Sequence, residues 1–341
     1  MTSWIINAKS FKKQFIIQIM PKIVFLDRDG LASHIKLSEI TAPAGSTVTF
    51  KEHATTTAQQ TVKRLSGAQV AITNKVVIDQ NVLDSCPDLK HIAVAATGYN
   101  IIDTKACRAR GVSVSNIPSY ATTSVPEHAI MLMLNLRRQL LPYRQHVANG
   151  EWSKSSAFCL FKEPIKDLSD SVLGIVGFGA LGQATAQLAH GLGMQVIYTA
   201  RSDKKSTYAQ HLPLNDVLQK ADVISLHCDL NDSTANLIST SQFKLMQPHA
   251  IVINTARGGI VDEGAAVHAI ESGLIGGLGI DVLAQEPPKA DHPLIELAKR
   301  PNVIVTPHIA WASDAAMQRL VDILVDNIQN HLQGKALNLV N

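Results

Sequence analysis

The chain has 341 residues, long enough for two domains that each bury a core of their own. Its 46% apolar, 17% charged and 5% aromatic residues are ordinary for a soluble α/β protein. The net charge of +3 is too small to indicate a nucleic-acid or membrane-surface partner, and no apolar run reaches the length of a membrane span. The cysteines are scattered without a C-x-x-C motif, which argues against a disulfide framework or a metal site and is typical of reduced thiols in a cytoplasmic protein.

Residues 1–20 differ in character from the rest of the chain. Lysines but no acidic residue precede Met20, and the stretch has neither the continuous apolar region nor the small-residue cleavage site of a secretory signal. We interpret it as a disordered N-terminal extension, with a packed extra element as the alternative.

Between Lys22 and Asn116, short apolar runs alternate with helix-like segments, which predicts a parallel sheet with helical crossovers. The expected strands are 23–26, 69–72, 91–95 and 112–115, and the expected helices are 57–65, a short one near Val82, and 103–110. This first domain has no Gly-rich phosphate loop.

A long helix is predicted over Glu127–Leu141, with Ser124 as its N-cap. Its side chains are apolar on most faces, so it needs cover on more than one side. Either the core of the larger domain or a second subunit provides that cover. We expect the second subunit, in a homodimer.

The segment Val172–Gly182, VLGIVGFGALG, holds a G-x-G-x-x-G motif between a strand-like run and a helix-like segment. In this pattern Gly177 permits a tight turn, Gly179 lets a pyrophosphate approach the backbone, and Gly182 lets the helix pack closely on the strand. The helix N-terminus adds free N–H groups for the phosphates. We predict a dinucleotide site; a Gly-rich turn without a ligand is the alternative.

Further strands are predicted at 195–199, 222–226, 250–254, 275–281 and 302–305, with a last helix at 313–332 that returns to the first domain. The predicted fold class is α/β, with two Rossmann-like or flavodoxin-like domains, parallel sheets, and a substrate cleft between them. We assign residues 21–120 and 309–341 to the substrate domain and residues 121–308 to the dinucleotide-binding domain.

Polar stretches come after three strands of the second domain, at the sheet edge where α/β folds bind ligands. They supply Arg257, Glu286 and His308. Arginine binds a carboxylate through two hydrogen bonds, histidine transfers protons near neutral pH, and a carboxylate on the far ring nitrogen fixes the tautomer. With a hydride carrier, this set suits the interconversion of a 2-keto acid and a 2-hydroxy acid. Taken singly, each residue also has a structural explanation, as a turn cap, a solvated loop residue or an ordinary histidine.

The motifs GFGALG, NTARGG, DVLAQEPP and TPHIAWAS, preceded by VAATGYNIID and SVPEHAIMLML, occur in an order that resembles the D-isomer-specific 2-hydroxyacid dehydrogenases. The resemblance runs from about Lys22 to the C-terminus. Within that family, ATGYN, YRQHVANGEW and HIAWAS most resemble the glycerate dehydrogenases, also called hydroxypyruvate reductases.

The resemblance implies an NAD(P)-dependent reductase of hydroxypyruvate or glyoxylate. Arg257 would bind the substrate carboxylate, His308 would be the acid/base, and Glu286 would pair with His308. Backbone N–H groups of Thr97 and Gly98 would also hold the carboxylate, with Tyr99 and Trp311 shaping the pocket. The cofactor site implied in this way comprises Gly177, Gly179, Ala180, Leu181, Gly182, His227, Cys228, Thr255, Ala256, Asp281 and His308.

Two positions depart from the family pattern. The strand at 195–199 is not followed by the acidic residue that accepts the ribose hydroxyls of NAD. Arg201 and Ser202 stand there and suit a 2′-phosphate, so NADP(H) is modestly favoured over NAD(H); alternatively, Asp203 replaces the missing acid. Asp229 occupies a position where the family often has proline, and we attach no consequence to it.

Two other functions stay open on the sequence. One is the reduction of another small 2-keto acid by the same mechanism. The other is a dinucleotide-sensing co-repressor, although the chain has no basic arm or long tail that supports nucleic-acid binding. The expected partners are therefore a small keto or hydroxy acid and a second copy of the chain.

Overall fold

A computed structural model describes residues 20–41 and 47–341. Within them two compact units form: unit 1, which runs to Pro118 and resumes over Gln318–Asn341, and unit 2, which is Ser119–Met317. Residues 119–120 and 309–317, assigned to the substrate domain from the sequence, thus belong to unit 2. The predicted extension at residues 1–20 lies, apart from Met20, outside the described residues.

Unit 1 is built on a parallel sheet. Its strands are β1 (Lys22–Phe25), β2 (Thr49–Glu52), β3 (Val70–Thr73), β4 (His91–Val94) and β5 (Ser113–Ser115), in the order β2-β1-β3-β4-β5. Its helices include α1 (Ala58–Leu65), α2 (Gln80–Ser85) and α3 (Thr104–Ala109), with a 3-10 turn at Arg28–Gly30. The side chains of β3 and β4 are fully buried, as expected for central strands covered on both faces.

Unit 2 is built on a seven-stranded parallel sheet. Its strands are β6 (Val172–Val176), β7 (Gln195–Thr199), β8 (Ala209–His211), β9 (Val223–Leu226), β10 (Ile251–Asn254), β11 (Gly277–Ile280) and β12 (Val303–Val305), in the order β12-β11-β10-β9-β6-β7-β8. The chain reverses its direction across the sheet between β6 and β9. The carboxyl ends of these two strands therefore mark the switch point at which such sheets bind ligands.

Unit 2 also contains helices, most of which lie between its strands. They are α4 (Ser124–Arg138), α5 (Leu140–Ala148), α6 (Ala180–Gly191), α7 (Leu214–Lys220), α8 (Thr240–Phe243), α9 (Glu263–Glu271) and α10 (Pro293–Leu297), with a 3-10 turn at Trp152–Lys154. The last helix, α11 (Asp314–Leu332), begins in unit 2 and belongs to unit 1 from Gln318 onwards.

Helix α4 is covered mainly by its own unit. Leu132, Met133 and Leu136 are at most 3% exposed and lie in one apolar cluster with residues of β6 and α6. Of the two explanations for its apolar faces, burial in the larger domain therefore accounts for these side chains. The predicted N-cap is also wrong: Ser124 lies inside the helix, and its Oγ donates to the Trp311 carbonyl oxygen at 3.3 Å.

The predicted α/β class with two parallel sheets is confirmed. Apolar patterning missed the edge strands β2 and β8 and merged α4 with the start of α5. None of the helices over residues 20–41 and 47–341 combines the length and the apolar character of a membrane span.

Candidate active site

The Gly-rich turn joins β6 to α6 at the switch point. Gly177 has a φ of +94°, and a Cβ on it would lie 2.6 Å from the backbone nitrogen of Cys228. A Cβ on Gly182 would lie 2.1 Å from the carbonyl oxygen of Gly177. Glycine is therefore required at Gly177 by its conformation and by the nearby end of β9, and at Gly182 by the packing of α6 on the turn.

The middle glycine of the motif faces open space. A Cβ on Gly179 would meet nothing within 4 Å. Gly179 is the N-cap of α6 and provides no side-chain cap, while the first N–H groups of a helix, here from Ala180 and Leu181 onwards, have no acceptor within the helix. Such N–H groups and the positive end of the helix dipole bind phosphates, so the turn fits a dinucleotide pyrophosphate.

Neutral polar groups line the neighbouring strand ends. Within the described residues, the buried atoms His227 Nδ1, after β9, and Thr255 Oγ1, after β10, have no hydrogen-bond partner. Burial lowers the pKa of His227 to about 4 and raises the pKa of Cys228 to about 11, so both side chains are uncharged near neutral pH. Because unpaired buried polar atoms are costly, a ligand that bonds to them is expected here.

The carboxyl end of β7 carries the residues that bear on cofactor choice. Arg201 and Ser202 are exposed. The buried Tyr198 hydroxyl donates to Asp203 Oδ1 at 2.5 Å and accepts from the Lys204 nitrogen at 2.9 Å. The carboxylate that could replace the missing acid is therefore bonded to the strand end.

Arg257 lies on a loop that leaves β10. The buried Asn254 holds this loop: its Oδ1 accepts from the Ala256 nitrogen at 3.0 Å and its Nδ2 donates to the Arg257 carbonyl oxygen at 2.9 Å. A Cβ on Gly258 would lie 2.0 Å from the Leu283 carbonyl carbon. The arginine loop thus packs directly on the loop that comes after β11 and carries Glu286.

The structure brings Glu286 and His308 together. His308 Nδ1 lies 2.5 Å from Glu286 Oε2, and each side chain is 30% exposed. The other carboxylate oxygen, Glu286 Oε1, accepts from the Leu283 nitrogen at 2.8 Å. Since Nδ1 is engaged, proton transfer to a ligand would use the Nε2 atom of His308.

Asp281 accepts hydrogen bonds from the backbone at and after His308. His308 has a φ of +55°, and its N–H donates to the Asp281 carbonyl oxygen at 2.8 Å. The Asp281 carboxylate, buried at 2% exposure, accepts from the Ile309 and Ala310 nitrogens, each at 2.9 Å. Asp281, predicted to contact the cofactor, thus uses both carboxylate oxygens on the loop that carries His308; its cofactor role stays a prediction.

In unit 1, the predicted carboxylate-binding residues lie just after β4. Thr97 Oγ1 donates to the Ile117 carbonyl oxygen at 2.7 Å, and Asn116 Nδ2 donates to the Thr97 carbonyl oxygen at 2.8 Å. Tyr99 is 38% exposed. The loop is thus fixed by hydrogen bonds to residues 116 and 117, which come after β5, and the roles of Thr97, Gly98 and Tyr99 stay predictions.

Sequence reasoning assigned no role to Tyr120, His128 or Thr306. Tyr120 meets the Trp311 ring edge-on at 6.1 Å between centroids; burial raises its pKa to about 12, against the opposing effect of the Arg257 guanidinium. His128 and Thr306 contact Asp281 or its hydrogen-bond partners. Only Thr306 carried a usable signal, because it comes directly after a strand and two residues before His308.

Asp229 is exposed, and its carbonyl oxygen accepts from Thr234 Oγ1 at 2.6 Å; nothing in the structure explains why aspartate stands there. Over residues 20–41 and 47–341, no group of three or more His, Cys, Asp or Glu side chains could hold a metal ion.

Comparison with known proteins identifies a family for this arrangement. The family model described as D-isomer specific 2-hydroxyacid dehydrogenase, NAD binding domain, matches residues 130–310. This range contains the Gly-rich turn together with Arg257, Glu286 and His308.

Individual relatives match along most of the chain. A glycerate dehydrogenase of Methylorubrum extorquens is 46% identical over 320 residues, which cover 94% of this chain and 98% of the relative. A hydroxypyruvate reductase of Blautia hydrogenotrophica is 34% identical and covers 87% of this chain and 92% of its own length. Among solved structures, an acyclic imino acid reductase in complex with NADPH and D-Arg superposes with a TM-score of 0.81 at 27% identity, covering 94% of this chain and 100% of that one.

Proposed function

The chain belongs to the D-isomer-specific 2-hydroxyacid dehydrogenases, oxidoreductases that use a nicotinamide dinucleotide, and from this premise we propose that it interconverts hydroxypyruvate and D-glycerate and also reduces glyoxylate. The observation that carries the proposal is the His308–Glu286 pair, 2.5 Å apart, at the ligand-binding edge of the dinucleotide fold. The similarity to a glycerate dehydrogenase and a hydroxypyruvate reductase supports the substrate class.

In the reductive direction, His308 donates a proton from Nε2 to the carbonyl oxygen of the keto acid. Glu286, through Nδ1, stabilises the charged imidazole and fixes its orientation. The bound dinucleotide supplies the hydride that adds to the carbonyl carbon. Oxidation of the hydroxy acid uses the same groups in reverse, with His308 as the base.

Arg257 orients the substrate by pairing its guanidinium with the carboxylate. In the structure its Nη1 donates to the Ala256 carbonyl oxygen at 2.7 Å, a bond that leaves other N–H groups of the fork for a ligand. We extend this role to the N–H groups of Thr97 and Gly98. The Gly177–Gly182 turn and the groups at His227, Cys228, Thr255 and Ala256 would hold the dinucleotide.

Steady-state reduction of hydroxypyruvate, glyoxylate and pyruvate, each with NADH and with NADPH, tests the function. We expect the highest kcat/KM with hydroxypyruvate. His308→Ala should lower kcat by about 10²–10⁴-fold, the usual contribution of a general acid, with a far smaller change in the Kd for the reduced dinucleotide, which the Gly-rich turn would mainly hold. The matched control is His268→Ala, on the exposed face of α9.

The outcomes separate the alternatives. If another keto acid gives a higher kcat/KM than hydroxypyruvate, the mechanism is supported and that keto acid is the preferred substrate. If the chain binds the dinucleotide but turns over no keto acid, the enzymatic proposal is contradicted and the dinucleotide-sensing function is the one left. Full activity of His308→Ala contradicts the assigned proton donor.

For the cofactor, we propose a modest preference for NADP(H). Arg201 and Ser202 are exposed after β7, and the Asp203 carboxylate, which would repel a 2′-phosphate, is bonded to Tyr198. Arg201→Ala should raise the KM for NADPH roughly tenfold or more, the size of a lost charged hydrogen bond, and leave the KM for NADH unchanged. Lys244→Ala, an exposed cation on another part of unit 2, is the control. Equal effects on both cofactors would contradict this preference.

We also propose a cytoplasmic homodimer. The four cysteines, Cys86, Cys107, Cys159 and Cys228, are all unpaired, which is typical of a reducing compartment. Several large apolar side chains of unit 2 are exposed along α5 and the segment after it, including Phe158 at 92% and Phe161 at 86%. Large apolar side chains exposed together on one segment of the chain support a protein interface there.

A further inference from the structure

A histidine outside the predicted catalytic set approaches the active-site loop. His128, on α4, has a side chain that is only 12% exposed. Its Nε2 lies 3.0 Å from Thr306 Oγ1 and 3.6 Å from Asp281 Oδ1. Thr306 Oγ1 in turn lies 2.5 Å from Asp281 Oδ1.

The hydrogen-bond directions in this group are fixed by its chemistry. The Thr306 hydroxyl has a single hydrogen, and it donates that hydrogen to the Asp281 carboxylate. Its oxygen can therefore only accept from His128, so His128 carries its proton on Nε2. Burial lowers the pKa of His128, with Asp281 opposing the shift, which favours the neutral ring with this one N–H.

The chain of donors ends on the catalytic loop. The Asp281 carboxylate accepts the N–H groups of Ile309 and Ala310, and the Asp281 carbonyl oxygen accepts the N–H of His308. His308 has a left-handed backbone, with a φ of +55°. A non-glycine residue keeps that conformation only where its surroundings enforce it.

Resting on the function proposed above, we propose that His128 is a positioning residue for His308. It fixes the Thr306 hydroxyl, which keeps Asp281 Oδ1 directed at the loop and so holds the His308 backbone. Helix α4, which lies outside the loops that carry Arg257, Glu286 and His308, therefore helps to set the orientation of His308. In this role His128 acts through Thr306 and Asp281 and requires no contact with the substrate or the cofactor.

The test compares His128→Leu, which removes the donor, with His128→Gln, whose amide nitrogen stands as many bonds from Cβ as the lost Nε2. For His128→Leu we expect kcat to fall about tenfold to hundredfold, because small displacements of a reacting group have effects of that size, while the Kd for the dinucleotide is unchanged. We expect His128→Gln to retain most of the wild-type kcat. His268→Leu, on the exposed face of α9, is the matched control.

Hydrogen–deuterium exchange of the backbone around residues 306–312 gives a second readout that does not depend on turnover. Faster exchange there in His128→Leu, but not in His128→Gln, supports the positioning role. If wild type reduces no keto acid, the proposed function fails, and this comparison still decides the role of His128. If the backbone of His128→Leu around residues 306–312 exchanges as slowly as that of wild type, the proposal is overturned. An equal loss of kcat in His128→Leu and His128→Gln also overturns the proposal, because the imidazole ring itself, and not its N–H donor, would then be needed.

Thr306→Val covers the case in which His128→Leu does not fold, since it removes the intermediate hydroxyl at nearly constant volume. Thr306→Ser keeps the hydroxyl, so its kcat and its slow backbone exchange around residues 306–312 should be close to those of wild type. Where all variants fold, we combine His128→Leu with Thr306→Val in a double variant. Its kcat should be little lower than that of the more impaired single variant, because both changes break the same chain of hydrogen bonds. Full additivity of the two losses overturns the link through Thr306.

Discussion

At the scale of single residues, Glu286 divides its carboxylate between two tasks. One oxygen accepts from the Leu283 nitrogen at 2.8 Å, and the other meets His308 Nδ1 at 2.5 Å. The first bond fixes the carboxylate on its own loop, so the second can fix the imidazole. The function of the pair thus depends on a loop conformation as well as on two residue types.

Glu286→Gln tests this dependence. The amide keeps the volume and a donor or acceptor but removes the charge, so a charge-assisted bond of roughly 1.5–3 kcal/mol is lost. We expect kcat for hydroxypyruvate to fall about tenfold to hundredfold in steady-state assays, with the dinucleotide Kd unchanged. Glu296→Gln, which removes an exposed carboxylate paired with Lys299, is the control. An unchanged kcat in Glu286→Gln would contradict the assigned pairing.

The residue types of the site could be predicted from the sequence, and the family resemblance implied the pairing of Glu286 with His308, but the hydrogen bonds that hold the loops could not be predicted. Arg257, Glu286 and His308 each come after a strand, and parallel strands bring their carboxyl ends to one edge. The bonds from Asp281 to residues 309 and 310 join segments almost 30 positions apart, and no local pattern encodes them. The partner of Asp203 escaped prediction for a similar reason, because Tyr198 reads as a buried strand residue and its hydroxyl has no pattern of its own.

At the scale of elements, apolar patterning found the strands that have an apolar run and missed β2 and β8, one edge strand of each sheet. Strand β2 has four exposed side chains, so it lacks the apolar run that marks the other strands. The break between α4 and α5 falls at Gln139, which has a φ of +55°. Glycine or asparagine usually marks such a helix end, and glutamine gives no such signal. The prediction therefore continued one helix across two.

The packing of α6 on the Gly-rich turn yields a prediction about one element. A Cβ on Gly182 would lie 2.1 Å from the Gly177 carbonyl oxygen, so Gly182→Ala forces the helix away from the turn. We expect a loss of about 1–3 kcal/mol in the free energy of unfolding, measured by chemical denaturation, and a weaker dinucleotide Kd. Gly191→Ala, at the other end of the same helix, is the control, because a Cβ there meets nothing within 4 Å. Equal stability of the two variants would contradict the packing argument.

The docking of α11 in unit 1 makes stability depend on pH. His91 on β4 stacks on His331 of α11 at 4.3 Å between ring centroids, and its nitrogens lie 2.8 Å from Ser113 Oγ and 3.0 Å from Ser115 Oγ. Burial, with His331 adding to it, lowers the pKa of His91 from 6.5 to about 3. The unfolded chain therefore binds a proton before the folded one, and stability falls as the pH drops from about 6.5 towards 3.

His91→Gln isolates this contribution. The amide retains a donor and an acceptor for the serine hydroxyls but does not titrate. Between pH 6.5 and pH 5 we expect wild type to lose about 1.5 kcal/mol more unfolding free energy than the variant, measured by denaturant titration at each pH. Parallel pH dependence in the two proteins would show that His91 is not the titrating group.

At the scale of the whole molecule, the segment after α5 displays apolar side chains on an ordered backbone. Trp152 Nε1 donates to the Phe158 carbonyl oxygen at 3.0 Å, and the Tyr143 hydroxyl donates to the Glu163 carbonyl oxygen at 2.9 Å. These bonds hold the segment without burying its rings, since Phe158 is 92% and Phe161 86% exposed. An ordered segment with exposed aromatic side chains is expected where a second copy of the chain covers them.

Sedimentation of wild type and of Phe158→Ser combined with Phe161→Ser tests this surface. Burial of one phenylalanine contributes roughly 1.5–3 kcal/mol, so the double variant should weaken dimerisation at least a hundredfold and sediment as a monomer at micromolar concentration. Leu192→Ser is the control, because Leu192 is 43% exposed at the end of α6, away from this segment in the chain. A wild-type monomer would exclude the homodimer. A dimer that survives both serines would exclude this surface, because two exposed rings that lose nothing on substitution cannot lie at the centre of the interface.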